Sequence, residues 1–539
     1  MAALLLVLLP ANSSALSVDV HRHMTRVTLA DSNIAGAMGV PVENSIVKFW
    51  LTLYDQLAAP DPEGLDGGDA ERFRARFPNK RTFSAHAIRG FLGFSQEDEP
   101  RIVGLDTFDR SDFLDGLEVV AAGSAAPDLD QRNMRRYAYD NTGKILKLPD
   151  GRIVPADPMI LNMGEVDKLS SQAHAHYQLA ADKPSDSPDV LQQEPWNFVI
   201  AAGFPGPVET YAAEMAQLHL DIAIVAREWT QENISSTGEY LMLTWWGAGM
   251  HYLQDAAGPL HNVQVGSYEL FKLAKLTWYR MAVETIGGYG GTLPSFVSIG
   301  LGFLHNHHLF AEQWLGEQVE LLVAKKPAAK PLQEAWDKLG DNDPEFMAAI
   351  KGKIDPHLDN SKAPPWDKGE GAATVLVRAL AELGKKDGQA MYDAAMGASS
   401  DLLRDPNFRL GDDEHLSAKH KGDPNDPAVQ AAQAKLAQLH AKSLRRLATA
   451  TRIYRDSLDG SPRAALLRLR RWCLKRLDAE AARRKQYIAA PPPKSLAIVQ
   501  EPLWAVAPTG SVLMLLGGVW LVLRRRSARE AVAPQPRKA

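Results

Sequence analysis

Apolar residues recur every three or four positions through most of this chain. AAEMAQLHLDIAIVAREW (212–229) and SYELFKLAKLTWYRMAVETI (267–286) carry that spacing, which predicts amphipathic helices. Few runs alternate in the way strands do, so the pattern predicts an all-α protein. LMLTWWGAGM (241–250) is apolar on every face, which predicts a buried helix. Residues 324–371 are rich in Pro, Lys, Asp and Gly and read as a loop-rich excursion. Helix returns from about 371 to 405, and 410–427 is polar and exposed in this reading. From Pro427 to about Ala490 runs a helical region loaded with Arg, Lys and Ala. Its cationic face reads most simply as a solvated surface near a membrane.

Two longer apolar runs bracket the chain. MAALLLVLLPANSSALS has a short apolar core followed by small residues, the pattern of a signal peptide over 1–16, although no Lys or Arg precedes the core. Leu503 to Leu523 is uncharged and long enough to span a bilayer as a helix, and Arg524 to Arg526 follow it. A positive flank stays inside, so the large domain is expected outside the cytoplasmic membrane and the C-terminus within. The expected organisation is therefore a signal peptide (1–16), an N-terminal extension (17–80), a helical domain (81–322), the loop-rich excursion (323–372) and a C-terminal helical region (373–490). A stiff PPPK-containing linker (491–502), a transmembrane helix (503–523) and a basic cytoplasmic tail (524–539) complete it.

Composition narrows the chemistry. The 539 residues are 45% hydrophobic and 23% charged with a net charge of −5, which gives no sign of a nucleic-acid-coating protein. Cys473 is the one cysteine, so disulfides and multi-thiolate metal sites are excluded. Any metal must be held by His, Asp, Glu or backbone groups.

Among the 15 histidines, several stand in short constellations with carboxylates. In HYLQDAAGPLHN (251–262), His251 and Asp255 are four residues apart and share one helix face. Pro259 ends that helix and His261 falls just beyond it. His308 and Glu312 form a second pair at the same spacing; His305 and His307 crowd it, and His308 is preferred because the four-residue spacing puts it on the face of Glu312. Imidazole and carboxylate at this spacing suit zinc chelation. FSAHAIRGFLGF places His86 at the start of an apolar helix, AGSAAPDLD places Asp128 after a small-residue turn, and SSQAHAHYQLA offers His174 and His176. His219, His357, His415, His420 and His440 fit no pattern and read as surface or ordinary core. The set supplies more ligands than one ion needs and suggests a multinuclear site inside a helix bundle.

HYLQDAAGPLHN resembles the HYLxDxxxPxH signature of the zinc-dependent phospholipase C / single-strand-specific nuclease superfamily. The likeness covers roughly residues 80 to 320, and the other constellations follow in the family's order. It implies a multi-helix bundle of the zinc-dependent phospholipase C type, binding two or three zinc ions and cleaving phosphodiester bonds. Carried over, it implies that Asp128, His176, His251 and Asp255 hold one zinc, with His174 as the fallback for His176. His261, His308 and Glu312 would hold a second, and Asp255 would reach toward a third held partly by His86. Asp128 and Asp255 are the implied catalytic carboxylates.

Two departures from the family matter. Its members usually bind the third zinc through the first residue of the mature chain, whereas a long segment precedes His86, so either the third zinc is absent or another ligand, His21 or His23, takes that place. The gap from His261 to His308 is also longer than usual, and its insertion reads either as a lid or lipid-facing surface or as an ordinary extra helix and loop. The expected function is a membrane-anchored phospholipase C-like hydrolase acting on phospholipid headgroups. A nuclease of the same superfamily and a non-catalytic, metal-stapled interaction protein are the alternatives.

Overall fold

The computed structural model describes residues 18–29, 43–83, 113–134, 212–233, 236–262, 293–358, 370–405 and 415–489, with isolated residues between them. Side chains at 128–134 and 293–305 fall outside the description. So do the expected signal peptide and the transmembrane segment at 503–523. Among the described residues, no helix is long and apolar enough to cross a membrane.

The described chain is helical. It opens with α1 (Val18–Thr28), α2 (Glu43–Ala58), α3 (Asp69–Arg76), α4 (Lys80–Phe83) and α5 (Gly116–Met134). Next come α6 (Ala212–Asn233), α7 (Ser236–Ala257) and, after a 3₁₀ turn at Pro259–His261, the long α8 (Leu293–Val323). α9 (Lys330–Trp336), α10 (Pro344–Ile350) and α11 (Asp355–Leu358) are short. α12 (Ala372–Lys385), α13 (Gly388–Ala398), α14 (Pro427–Asp456) and α15 (Pro462–Ala489) complete the order. One two-residue antiparallel pairing, Met38–Gly39 with Phe113–Leu114, is the sheet among the described residues.

α7 is the central element. Nearly every residue from Thr237 to Ala257 is buried, as its all-round apolar pattern requires. It packs against α5, α6, α12 and α14. The approach to α5 is close enough to need glycine on both sides. A Cβ built on Gly123 would lie 2.5 Å from the Thr244 carbonyl oxygen, and one on Gly247 would strike that of Val120.

The segment expected as an N-terminal extension belongs to the core. Phe49 and Trp50 meet Trp229 and Trp245 edge-on at 5.8 Å, and Tyr54, Phe73, Phe77 and Phe83 form one aromatic cluster. The stretch expected to be loop-rich carries α9, α10 and α11. Pro331 and Pro344 stand in the first turn of α9 and α10, where a missing N–H costs nothing, so these prolines start helices.

The basic C-terminal region turns much of its charge inward rather than presenting a solvated face. Arg468 of α15 donates to Asp221 of α6 at 2.6 Å, and Arg470 donates to Asp66 at 2.9 Å. Arg463 pairs with Asp61, and Arg471 with Asp69. On α14, Arg446 is buried between Glu345 and Asp387. A desolvated guanidinium needs such partners, and its planar fork satisfies several acceptors at once. The described residues up to Tyr487 form one compact unit.

These pairs make an acid-stability prediction. Hydrogen bonds from Arg463, Arg446 and Arg26 hold the carboxyls of Asp61, Glu345 and Glu118 below their ordinary values. A carboxylate depressed in the folded state stabilises it above the unfolded-state pKa, and that contribution is lost as pH falls through the lowered value. The melting temperature should hold steady at neutral pH and fall steadily below about pH 4. A flat profile down to about pH 2 would show that these pairs contribute nothing.

Candidate metal centre

Two buried triads converge in the fold: His21, His251 and Asp255, and His261, His308 and Glu312. Within each, one ligand atom per residue lies within 4.8 Å of the others.

The first triad joins α7 to α1. His251 and Asp255 sit one helical turn apart, with His251 Nε2 3.2 Å from Asp255 Oδ2. His21 comes from α1 and brings its Nε2 to 3.5 Å from Asp255 Oδ1. The two imidazoles lie 4.0 Å apart between ring centroids. All three side chains are fully buried. His251 Nδ1 donates to the Ser124 carbonyl oxygen at 2.7 Å, which places a proton on Nδ1 and turns Nε2 toward Asp255. His21 Nδ1 lies 2.5 Å from Gln254 Oε1, and Gln254 Nε2 donates to Thr25 Oγ1 at 2.8 Å.

The second triad forms where α7 ends. The amide of Gly258 bonds the Asp255 carbonyl, Pro259 cannot continue the helix, and the 3₁₀ turn carries His261 toward α8. His261 Nε2 and His308 Nε2 lie 2.8 and 2.6 Å from Glu312 Oε1 and 3.2 Å from each other. Four residues separate His308 and Glu312 on α8, so one face presents both. Glu312 Oε2 is buried without a hydrogen-bond partner among the described residues. Burial pushes the Glu312 carboxyl up, but the charge of His308 and the hydrogen bonds from both imidazoles overrule it and hold it at about 2. The carboxylate is therefore ionised throughout the neutral range.

The donor set fits a borderline-soft divalent ion. Nitrogen and oxygen ligands at about 2.0–2.1 Å in a tetrahedron lie roughly 3.3 Å apart. The His261–His308 separation of 3.2 Å and the His251–Asp255 and His21–Asp255 separations of 3.2 and 3.5 Å are close to that edge, whereas the two contacts to Glu312 Oε1, at 2.8 and 2.6 Å, are hydrogen-bond lengths. Two imidazoles facing each other at 3.2 Å are poorly matched without a cation or a shared proton. The His308 side chain is 19% exposed, whereas those of Glu312 and His261 are at 6% and 2%. This triad has the wetter edge of the two.

Five of the eight residues expected to ligate metal are thus brought together: His251 and Asp255 in one triad, and His261, His308 and Glu312 in the other. His86 and His176, with the fallback His174, lie outside the described residues. Asp128 lies on α5, but its side chain is outside the description. Of the two alternatives to the N-terminal ligand, His21 stands beside Asp255 and His23 is in neither group. His307 packs against Tyr392, so the register of the second pair falls on His308. Of the histidines read as core, His219 stacks between Trp245 and Tyr252, and His440 stacks on Trp314. Burial pulls His440 down to about 4, which keeps it neutral.

No protein-family model, curated protein or solved structure matches this chain. The chemistry of the centre rests on its own geometry.

Proposed function

We propose that this chain is a zinc-dependent phosphodiester hydrolase of the phospholipase C type, held at a membrane by residues 503–523 with its large domain outside. The observation that carries the reading is the convergence of His261, His308 and Glu312, which among the described residues supply three ligands and leave a fourth position open. A closed structural zinc site has four protein ligands, whereas a catalytic one keeps a place for water. A bound divalent ion would bring a water toward hydroxide at neutral pH and offset charge on the phosphoryl oxygens. The chain's own part is to hold the ligands rigid on α7 and α8 and to keep Glu312 ionised. Anchoring at a bilayer would present lipid headgroups at high effective concentration.

Burial of the four described tryptophans around the centre supports lipid over nucleic acid. A single-strand nuclease needs exposed aromatics on which bases stack. Trp229, Trp245, Trp246 and Trp314 are all buried, and Trp196 lies outside the described residues.

The test uses the full-length chain purified in a mild detergent. Bound metals are counted by elemental analysis, and the same sample is assayed on phosphatidylcholine vesicles and on single-stranded DNA. The expected result is two or three zinc ions per chain with lipid cleavage, and loss of both one zinc and turnover in Glu312→Gln. DNA cleavage alone would replace the lipid reading with a nuclease of the same metal chemistry. Metal without turnover on either substrate would make the triads structural staples. A metal-free chain would overturn the reading.

A further inference from the structure

Two imidazoles face Asp255 through Nε2, and each can do so as a ligand only if its proton sits on Nδ1. For His251 the reason is local: its Nδ1 partner is the Ser124 carbonyl, which can only accept. For His21 the partner is the Gln254 amide at 2.5 Å, which accepts through oxygen or donates through nitrogen according to how it is turned. The orientation of that amide therefore decides whether His21 Nε2 carries a lone pair or a proton.

A chain of hydroxyls settles it. Gln254 Nε2 donates to Thr25 Oγ1 at 2.8 Å, and Thr25 Oγ1 donates to Ser124 Oγ at 2.8 Å. Ser124 Oγ donates to the Ala121 carbonyl at 2.8 Å, with the His21 carbonyl at 3.3 Å. Each hydroxyl has one proton to give. The relay ends on carbonyl oxygens, so its direction cannot reverse without setting the Ser124 oxygen against them. Gln254 Nε2 also has the His21 carbonyl at 3.4 Å, which favours nitrogen over oxygen on that side. All these groups are buried, where a misdirected hydrogen bond is costly.

We propose that Gln254 is a positioning residue which, aimed by the hydroxyl relay of Thr25 and Ser124, holds His21 with its Nε2 lone pair toward Asp255. The inference rests on the metal reading above and adds a device to it. Ser124 serves both imidazoles: its carbonyl orients His251 and its hydroxyl, two links away, orients His21. α5 thereby sets the tautomers of ligands carried by α7 and α1.

The test reads zinc affinity and not turnover. Full-length chains carrying Glu312→Gln, which removes the second triad's carboxylate, are titrated with Zn²⁺ against a chromophoric chelator. In that background Gln254→Met should weaken the remaining zinc by about 10- to 100-fold, the usual cost of losing an outer-shell partner. Gln254→Glu should keep it within about threefold, because a carboxylate can only accept and so still demands the proton on His21 Nδ1. A merely structural role predicts the opposite order, since methionine suits a buried site better than a carboxylate does. Thr25→Val keeps the shape, breaks the relay and should cost about tenfold; it also decides the matter should Gln254→Glu fail to fold. Equal affinity in Gln254→Met and the parent, or no change in Thr25→Val, would overturn the positioning role and leave the metal reading standing. No zinc in the parent chain, with Glu312 intact, would overturn both.

Discussion

Asp255→Asn is expected to abolish phosphodiester hydrolysis while the far-ultraviolet circular dichroism stays helical. Asp255 is fully buried and addresses two imidazoles at once, His251 through Oδ2 at 3.2 Å and His21 through Oδ1 at 3.5 Å. Asparagine keeps the shape but removes the charge and turns one of those oxygens into an NH₂ donor aimed at an imidazole. Two neutral imidazoles and an amide are a poor cage for a divalent ion. Metal-derived charge stabilisation amounts to several kcal/mol, and each ~1.4 kcal/mol is tenfold in rate, so turnover should fall about a thousandfold or more. Rates on vesicles, metal content and the dichroism spectrum of the same preparation check this together. Full activity in the variant would remove Asp255 from the centre.

Gly247→Ala is expected to be as damaging, although Gly247 touches no ligand side chain. Its added Cβ would strike the Val120 carbonyl and lie 3.1 Å from both Gly123 Cα and Ser124 N. Each of these is backbone and cannot swing aside, so α5 has to move away from α7. Overpacking of this kind costs about 1–3 kcal/mol or more. Ser124 would move with α5 and withdraw its carbonyl from His251. The urea midpoint and the zinc affinity of the first triad should therefore fall together. Gly340→Ala, where the new methyl meets nothing within 4 Å, is the control and should change neither. An unchanged midpoint in Gly247→Ala would mean that α5 and α7 are not held as close as the structure places them.

Some of this was legible because the interactions are local. His251 with Asp255, and His308 with Glu312, share helix faces by spacing alone, and Pro259 had to end α7. The apolar run before His251 announced burial, and burial of polar groups beside it announced a partner. The helical class followed from the same periodicity. What misled was context. Prolines in 324–371 read as loop, yet two of them open helices, since proline at the first turn and proline in a loop look alike until the hydrogen bonds are traced. The arginines of α15 read as a solvated face because nothing within that helix reveals Asp61, Asp66, Asp69 and Asp221, some 250 to 400 residues earlier.

By itself the sequence determined the class of the chain, the two histidine–carboxylate pairs and the exclusion of cysteine chemistry. These depend on residue type and on separations of four or so positions, where helix geometry is fixed. The resemblance had already grouped His261 with the His308–Glu312 pair; the tertiary structure alone decided that His21 and not His23 stands beside Asp255, and that Ser124 of α5 orients both imidazoles of the first triad. Those contacts join residues up to 234 positions apart in the chain, and only the close packing of α1, α5, α7 and α8 around one core determines which of them meet.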